Sequence, residues 1–278
     1  MDLIRHRPAP PLDRFIECLW WSHREQPLVE CEHMLPSGTA QLIFTLHDTP
    51  LVWRAPASAD WEAWSGSIVH GPQSGFYLAG PKPRGSSVGV SFRAGGAAAV
   101  LGVSMQELAD RHVGLDALWG ARASVLLDQL RSGTEPALMF HLLERSLGAR
   151  IRRPLLLHPA IAEALACCTA DAPPPARVAD IQRRSGYSGR YFGALFRAAV
   201  GLNPKQYYRI RRFNGAVRWV AAGHGGGLGD IAAAHGYADQ PHLTREFHAL
   251  AGITPGTYRA SAPDRPLHHR GPGAVVSR

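Results

Sequence analysis

Two stretches about fifty residues apart offer similar hydrogen-bonding groups from the same place in a short helix. In the first, Ser188 can cap a helix whose Phe192 and Phe196, four apart, turn inward, leaving Arg190, Tyr191, Gly193, Ala194 and Arg197 outward. In the second, Asp239 can cap a helix whose Leu243 and Phe247 turn inward, leaving Pro241, His242, Thr244, Arg245 and His248 outward. Guanidinium forks, an imidazole and a hydroxyl near a helix N-terminus are groups that bond base edges and phosphate oxygens. The bland alternative for each stretch taken alone is a plain helical hairpin, which needs neither a duplicate nor a charge.

A duplicate is present, and it extends beyond these helices. Ile181 to Gly186-Tyr187, then Gly201-Leu202-Asn203-Pro204, is matched by Ile231 to Gly236-Tyr237, then Gly252-Ile253-Thr254-Pro255. Each copy reads as a short amphipathic helix, a turn at Gly-Tyr and a second helix, which is helix-turn-helix grammar. In this unit the second helix lies in the major groove with its N-terminal residues against base edges. Lys205 to Ala222 predicts one helix between the copies, with Tyr207, Phe213, Ala216, Val217 and Val220 inward and Arg209, Arg211, Arg212 and Arg218 around it. At 1.5 Å per residue it spans about 27 Å, and two reading helices on such a strut suit successive major grooves about 34 Å apart.

Charge points the same way. Residues 1–171 hold 15 Lys+Arg against 17 Asp+Glu, whereas residues 172–278 hold 15 against 5, so the formal net of +8 comes from the second part. A basic half attracts polyanions, nucleic acid first and anionic lipid second. Between the halves, Pro173-Pro174-Pro175 cannot continue a helix, so residues 172–176 are expected as a linker. Residues 1–171 then form an N-terminal sensor or dimerisation domain, 177–260 the paired helix-turn-helix domain, and 261–278 a disordered basic tail.

From Arg177 to Arg259 the chain resembles the tandem DNA-binding domain of AraC/XylS-type transcription regulators. The resemblance rests on Asp180-Ile181 and Asp230-Ile231 at the helix starts, both Gly-Tyr turns, Arg212-Phe213 with Ala216 in the strut, and Gly252 to Arg259 at the close. It implies base contacts from Arg190, Gly193 and Ala194 in the first unit and from Gln240, Pro241, His242, Thr244 and Arg245 in the second. Gly193 and Ala194 depart from the long polar residues common there, leaving Arg190 and Arg197 as the main contacts of the first unit.

Short β-branched or aromatic runs at 41–46, 67–69, 76–79 and 87–92 predict a small antiparallel sheet or barrel, followed from about Gly95 by helices, with Ser104-Met105-Gln106-Glu107 reading as a capping box and Thr134 to Gly148 and Pro159 to Thr169 as further helices. The resemblance implies a cupin-like sensor domain here, and the runs Met34 to Phe44 and Phe92 to Ala97 look like recurrent stretches of one subgroup. The fold class expected is therefore α+β: a small cupin-like β-barrel with appended helices, then an all-α domain of two helix-turn-helix units joined by a long helix. The partners implied are double-stranded DNA, a small-molecule effector, RNA polymerase and a second copy of the chain, with no membrane. Control by protein contact or by abundance, with no effector, is the alternative.

Enzyme signatures fare poorly. His33, His47 and His70 lack the tight spacing of a barrel metal site, and Gly71 to Gly75 has the wrong spacing for a nucleophile elbow. The glycines at 223–229 do not follow a strand, as a phosphate-cradling loop requires. Cys18, Cys31, Cys167 and Cys168 match neither a paired metal site nor a disulfide framework. No catalytic residue, metal or cofactor is expected, and a metal-dependent cupin-type enzyme fused to the DNA-binding unit is the remote alternative. No apolar run approaches the roughly 18 residues that span a bilayer, and nothing at the N-terminus reads as a secretory signal, so a cytoplasmic location is expected.

Overall fold

Strict alternation along the strands decides which faces are buried in the N-terminal domain. In the computed structural model, which describes residues 2–28, 30–151, 157–167, 178–223, 226–261 and 267–270, Leu42 and Phe44 on one strand face inward beside Val88, Val90 and Phe92 on the next. In chain order the strands are β1 (Asp2–His6), β2 (Ile16–Arg24), β3 (Glu32–Met34), β4 (Gln41–Thr45) and β5 (Leu51–Arg54). They continue with β6 (Glu62–Trp64), β7 (Ser67–His70), β8 (Tyr77–Ala79), β9 (Gly85–Phe92), β10 (His112–Gly114) and β11 (His268–Arg270).

These strands form two antiparallel sheets. One has six strands in the order β1-β2-β9-β4-β7-β10, the other five in the order β11-β3-β8-β5-β6. Helices α1 (Ala97–Leu101), α2 (Met105–Leu108), α3 (Leu115–Trp119), α4 (Ala121–Ser132) and α5 (Pro136–Gly148) share the apolar core of the six-stranded sheet. Leu101, Met105, Leu126, Leu143 and Leu147 meet Leu19, Leu42, Phe44 and Val90 there. Burying each such side chain contributes about 1.5 to 3 kcal/mol. The α+β class expected from the sequence is the class observed.

The second domain is all helix: α6 (Pro159–Ala166), α7 (Val178–Arg184), α8 (Gly189–Val200), α9 (Pro204–Ala221), α10 (Leu228–Ala234), α11 (Gln240–Ala251) and α12 (Pro255–Ser261). The strut α9 starts where Asn203 and Gln206 cap it reciprocally and Pro204 occupies a first-turn position that needs no N–H. Its buried face, Tyr207, Tyr208, Ile210, Phe213, Ala216, Val217 and Val220, contains every inward residue expected. Phe192, Phe196, Phe247 and Tyr258 complete one core with it.

Three features differ from the sequence expectation. The buried face of α6, Ala160, Ile161 and Ala164, packs into the C-terminal core although the helix precedes the expected linker, and the Tyr208 hydroxyl of the strut donates to the Ala164 carbonyl at 2.7 Å. The tail expected to be disordered instead supplies β11, which pairs with β3 in the register His268 to Met34, His269 to His33 and Arg270 to Glu32. The Ser104 hydroxyl, expected to open a capping box with Glu107, accepts instead from the Gln106 amide, at 3.3 Å, and its helix is a single turn. The expected linker, 172–176, lies outside the described residues.

The two domains share an interface. Leu35 belongs to the C-terminal core, and the Asn214 amide on the strut donates to the Ser37 carbonyl at 3.3 Å. Buried Glu32 of β3 is ion-paired with Lys82 and lies 3.6 Å from His268 Nδ1 of the tail strand. Burial raises the Glu32 pKa, but His268 and Lys82 outweigh it and hold the carboxyl well below its usual range.

Candidate nucleic-acid interface

Each helix-turn-helix unit is built by the same local devices. In the first, α7 ends at Gly186, and the Ser188 hydroxyl accepts from the Tyr191 amide at 3.3 Å to start α8. In the second, α10 ends at Gly236, and the Asp239 carboxylate accepts from the His242 amide at 2.6 Å to start α11. Both caps satisfy an amide that the helix itself leaves unpaired. Phe192 and Phe196 seat α8, and Leu243, Phe247 and Leu250 seat α11.

The outward residues mostly lie where the spacing put them. Arg190, Tyr191 and Ala194 are exposed on α8, and Arg197 is half-buried. Gly193 is the departure: it is buried, and a Cβ built on it would lie 3.6 Å from the Arg197 guanidinium. Arg197 therefore covers the place where Gly193 would otherwise face out. On α11, Gln240, Pro241 and Arg245 are exposed, while His242 and Thr244 are half-buried. The Ala238 amide donates to His242 Nδ1 at 3.4 Å, leaving Nε2–H as the group His242 can offer outward.

The turns of the two copies differ. Tyr237 is buried, its ring under the Arg212 guanidinium at 4.3 Å, and burial pushes its hydroxyl up to about 12. Tyr187, its counterpart, is exposed, with its ring centroid 5.0 Å from that of Tyr191 at an interplanar angle of 54° and its hydroxyl 3.4 Å from His158 Nε2. The His158–Tyr187–Tyr191 group thus adds an aromatic edge beside Arg190. The Gly-Tyr repeat alone did not distinguish a buried ring from an exposed one.

Arg209 and Arg212 of the strut share an acidic partner. Arg209 Nε donates to both Glu246 carboxylate oxygens, at 3.0 and 2.9 Å, and Arg212 approaches the same carboxylate at 3.8 Å. Glu246 lies on α11, so this pairing fastens the second reading helix to the strut rather than presenting charge to a ligand. Arg183 pairs with Asp180 and Arg184 approaches Glu163.

Between the two sheets of the N-terminal domain, Trp53 and Tyr77 from one meet His70 and His112 from the other. The His112 ring centroid is 3.8 Å from that of Trp53, 4.3 Å from that of His70 and 4.8 Å from that of Tyr77. Burial pushes His70 down to about 3 and His112 down to about 2. The three histidines weighed as metal ligands are dispersed: His33 faces α11, His47 lies beside Gly85, and His70 is in this cluster. Among the described residues no group of three or more His, Cys, Asp or Glu could hold a metal ion. No helix among them is long and apolar enough to cross a membrane.

With this geometry in hand, the comparisons are specific for the second domain. A helix-turn-helix domain family matches residues 181–261, and a domain of unknown function, DUF6597, matches residues 4–114. A Streptomyces lividans protein named as an AraC-like transcription regulator is 33% identical over 104 residues, covering 37% of this chain and 34% of the relative. Residues 181–261 are an AraC-type helix-turn-helix domain. The HTH-type transcriptional regulator YtdP of Bacillus subtilis is 32% identical over 80 residues, 29% of this chain and 10% of the relative. The chain thus spans only about a third and a tenth of the length of these two curated relatives. Among solved structures, ToxT of Vibrio cholerae O395 is 10% identical, with 88% of this chain and 99% of ToxT covered and a TM-score of 0.48. An AraC-type domain structure from Chromobacterium violaceum is 27% identical, with 38% of this chain and 94% of that one covered and a TM-score of 0.34.

Proposed function

We propose that the chain is a sequence-specific transcription regulator that reads two successive major grooves of duplex DNA with α8 and α11, under the control of a signal received by the N-terminal domain. The observation that carries this reading is the pair of capped helices whose N-terminal turns, with Arg190 and Tyr191 in one and Gln240, Pro241 and Arg245 in the other, face solvent while their other faces are buried. An α9 of 18 residues, about 27 Å long, gives the two units a separation of the right order for adjacent grooves about 34 Å apart.

Arg190 and Arg245 are assigned to base edges or their flanking phosphates, with His242 Nε2 and Thr244 as shorter-range donors. Arg209 and Arg212 are assigned to structure, since Glu246 already holds them. The N-terminal domain is the sensor, and a small molecule is the favoured signal. A regulator of this kind works in the cytoplasm, and RNA polymerase and a second copy of the chain are the partners it calls for.

Selection of bound sequences from a random duplex library by the full-length protein, near physiological salt, tests this reading. Two enriched blocks about one helical turn apart are expected. Salt-sensitive binding without enrichment would reduce the basic half to a polyanion surface.

A further inference from the structure

Both reading helices end on a glycine with positive φ, Gly201 at 91° and Gly252 at 72°, and both glycines are pressed against the N-terminal domain. A Cβ on Gly201 would lie 2.9 Å from the Met105 carbonyl oxygen and 2.9 Å from Pro72 Cγ. One on Gly252 would lie 2.4 Å from Phe76 Cζ. Pro72 and Phe76 belong to one short connection, residues 71–76, between β7 and β8. A single loop therefore touches the same point on both helix-turn-helix units.

This loop is held firmly. Asp110, itself at φ 55°, accepts from the Ser74 amide at 2.6 Å through one carboxylate oxygen and from the Ser74 hydroxyl at 2.8 Å through the other. The Asp110 amide donates to the Pro72 carbonyl at 3.0 Å, and the Gly71 amide donates to the Arg111 carbonyl at 2.9 Å. At the root of the loop, His70 Nδ1 lies 3.1 Å from the Tyr77 hydroxyl. Phe76 is clamped from its other side by the His33 ring, stacked at 5.2 Å, whose Nδ1 donates to the Ala251 carbonyl at 2.8 Å.

Nothing comparable joins the reading helices directly. Each packs on the strut α9, and neither packs extensively on the other. The strut meets the second unit through the Arg209–Glu246 pair and the Phe213–Phe247 ring contact at 5.0 Å, and the chain passes from one to the other through a connection that includes Gly223, Gly226 and Gly227.

We propose that the loop 71–76 is a bracket that sets the relative position of the two reading helices, with Pro72 and Phe76 as positioning residues that fix the block spacing the protein accepts on DNA. Neither residue touches DNA; each acts through the C-terminal end of a reading helix. The inference rests on the DNA-reading function proposed above. It also gives the space between the two sheets, where His70 and Tyr77 close the loop, a mechanical connection to both units.

The test is a spacing series. Duplexes carry the two blocks selected by the full-length protein, with the intervening segment lengthened or shortened by one or two base pairs. Two added base pairs turn one block about 70° around the duplex relative to the other. Wild-type protein should lose about tenfold in affinity, the equivalent of about 1.4 kcal/mol. Phe76→Ala and Pro72→Gly should each hold the loss to less than about threefold, with affinity for a duplex carrying one block unchanged. A Phe76→Leu variant carries the test should Phe76→Ala fail to fold, and should lie between the two. Spacing dependence in the folded variants equal to that of wild type overturns the bracket. Failure of wild-type protein to select two blocks overturns the DNA-reading function itself, a separate result.

Discussion

Gly201 and Gly252 occupy the same place in the two copies of the repeat, and each ends its helix against the N-terminal domain. The contact at Gly252 is the closer, with Phe76 filling the space a side chain would need.

Gly252→Ala should therefore cost more than a substitution at a glycine of similar torsion in open space. Gly236 provides the control, with φ 69° and nothing within 4 Å of a built Cβ. Gly236→Ala is expected to cost about 1 kcal/mol from the left-handed torsion alone. Gly252→Ala should cost about 1 to 3 kcal/mol more, because the Phe76 ring must shift in a packed seam. Urea unfolding of both variants measures the difference, and equal losses would show that the seam gives way without cost.

Glu246→Gln removes the carboxylate that holds Arg209 and Arg212. Arg209 is 40% exposed, so solvent screens part of the pairing, and a loss of about 1 to 2 kcal/mol in unfolding free energy is expected. The freed arginines gain access to phosphate. The salt slope of DNA binding should steepen by about one for each arginine recruited. An unchanged slope with reduced stability would confine both arginines to structure.

Acid should destabilise the N-terminal domain earlier than ordinary carboxylate titration would. His70 at about 3 and His112 at about 2 are buried neutral, against an ordinary 6.5. Below pH 6.5 the unfolded chain binds protons that the folded chain refuses, so stability falls as pH falls from there toward 3. The slope reaches at most about 1.4 kcal/mol per pH unit for each histidine. Glu32 adds to this lower down, since its depressed pKa gives stability present above the ordinary 4.5 and lost as pH falls below it. Chemical denaturation at a series of pH values follows the loss. His112→Leu should reduce the slope between pH 6 and pH 4, with His70 and the other histidines that burial lowers, His47, His235 and His269, keeping the remainder, and an unaltered slope would place the titration elsewhere.

Which faces of α8 and α11 are buried was legible in the sequence because the repeat states it twice. Two copies fixed which residues face the core, and the caps Ser188 and Asp239 formed as their positions demanded. Gly193 was misjudged because helical periodicity says which way a position points, not whether a neighbour such as Arg197 folds over it. The seam was invisible for a different reason. Pro72, Phe76 and His33 are brought to the second domain, and the tail strand β11 to the first, by contacts far apart in sequence, and no local period marks them. The short strands β3, β5, β6 and β10 likewise owe their pairing to the sheet rather than to strong local preference.

Arg245 is exposed on α11 and has the reach to contact a base edge. Arg245→Ala should cost about 1 to 3 kcal/mol on the selected duplex and relax the preference at one position of the second block. Competition binding against single-base variants reads this out. An equal loss on every sequence would make Arg245 a phosphate anchor.

Two helices of one chain that read two adjacent major grooves would shield guanine N7, which lies in the major groove, from methylation. On the duplex selected by full-length protein, two clusters of protected guanines about 10 base pairs apart are expected, and in the Arg245→Ala protein protection in the second cluster should weaken at the position Arg245 reads. A single cluster, or binding that leaves every guanine N7 open to methylation, would contradict reading of two grooves.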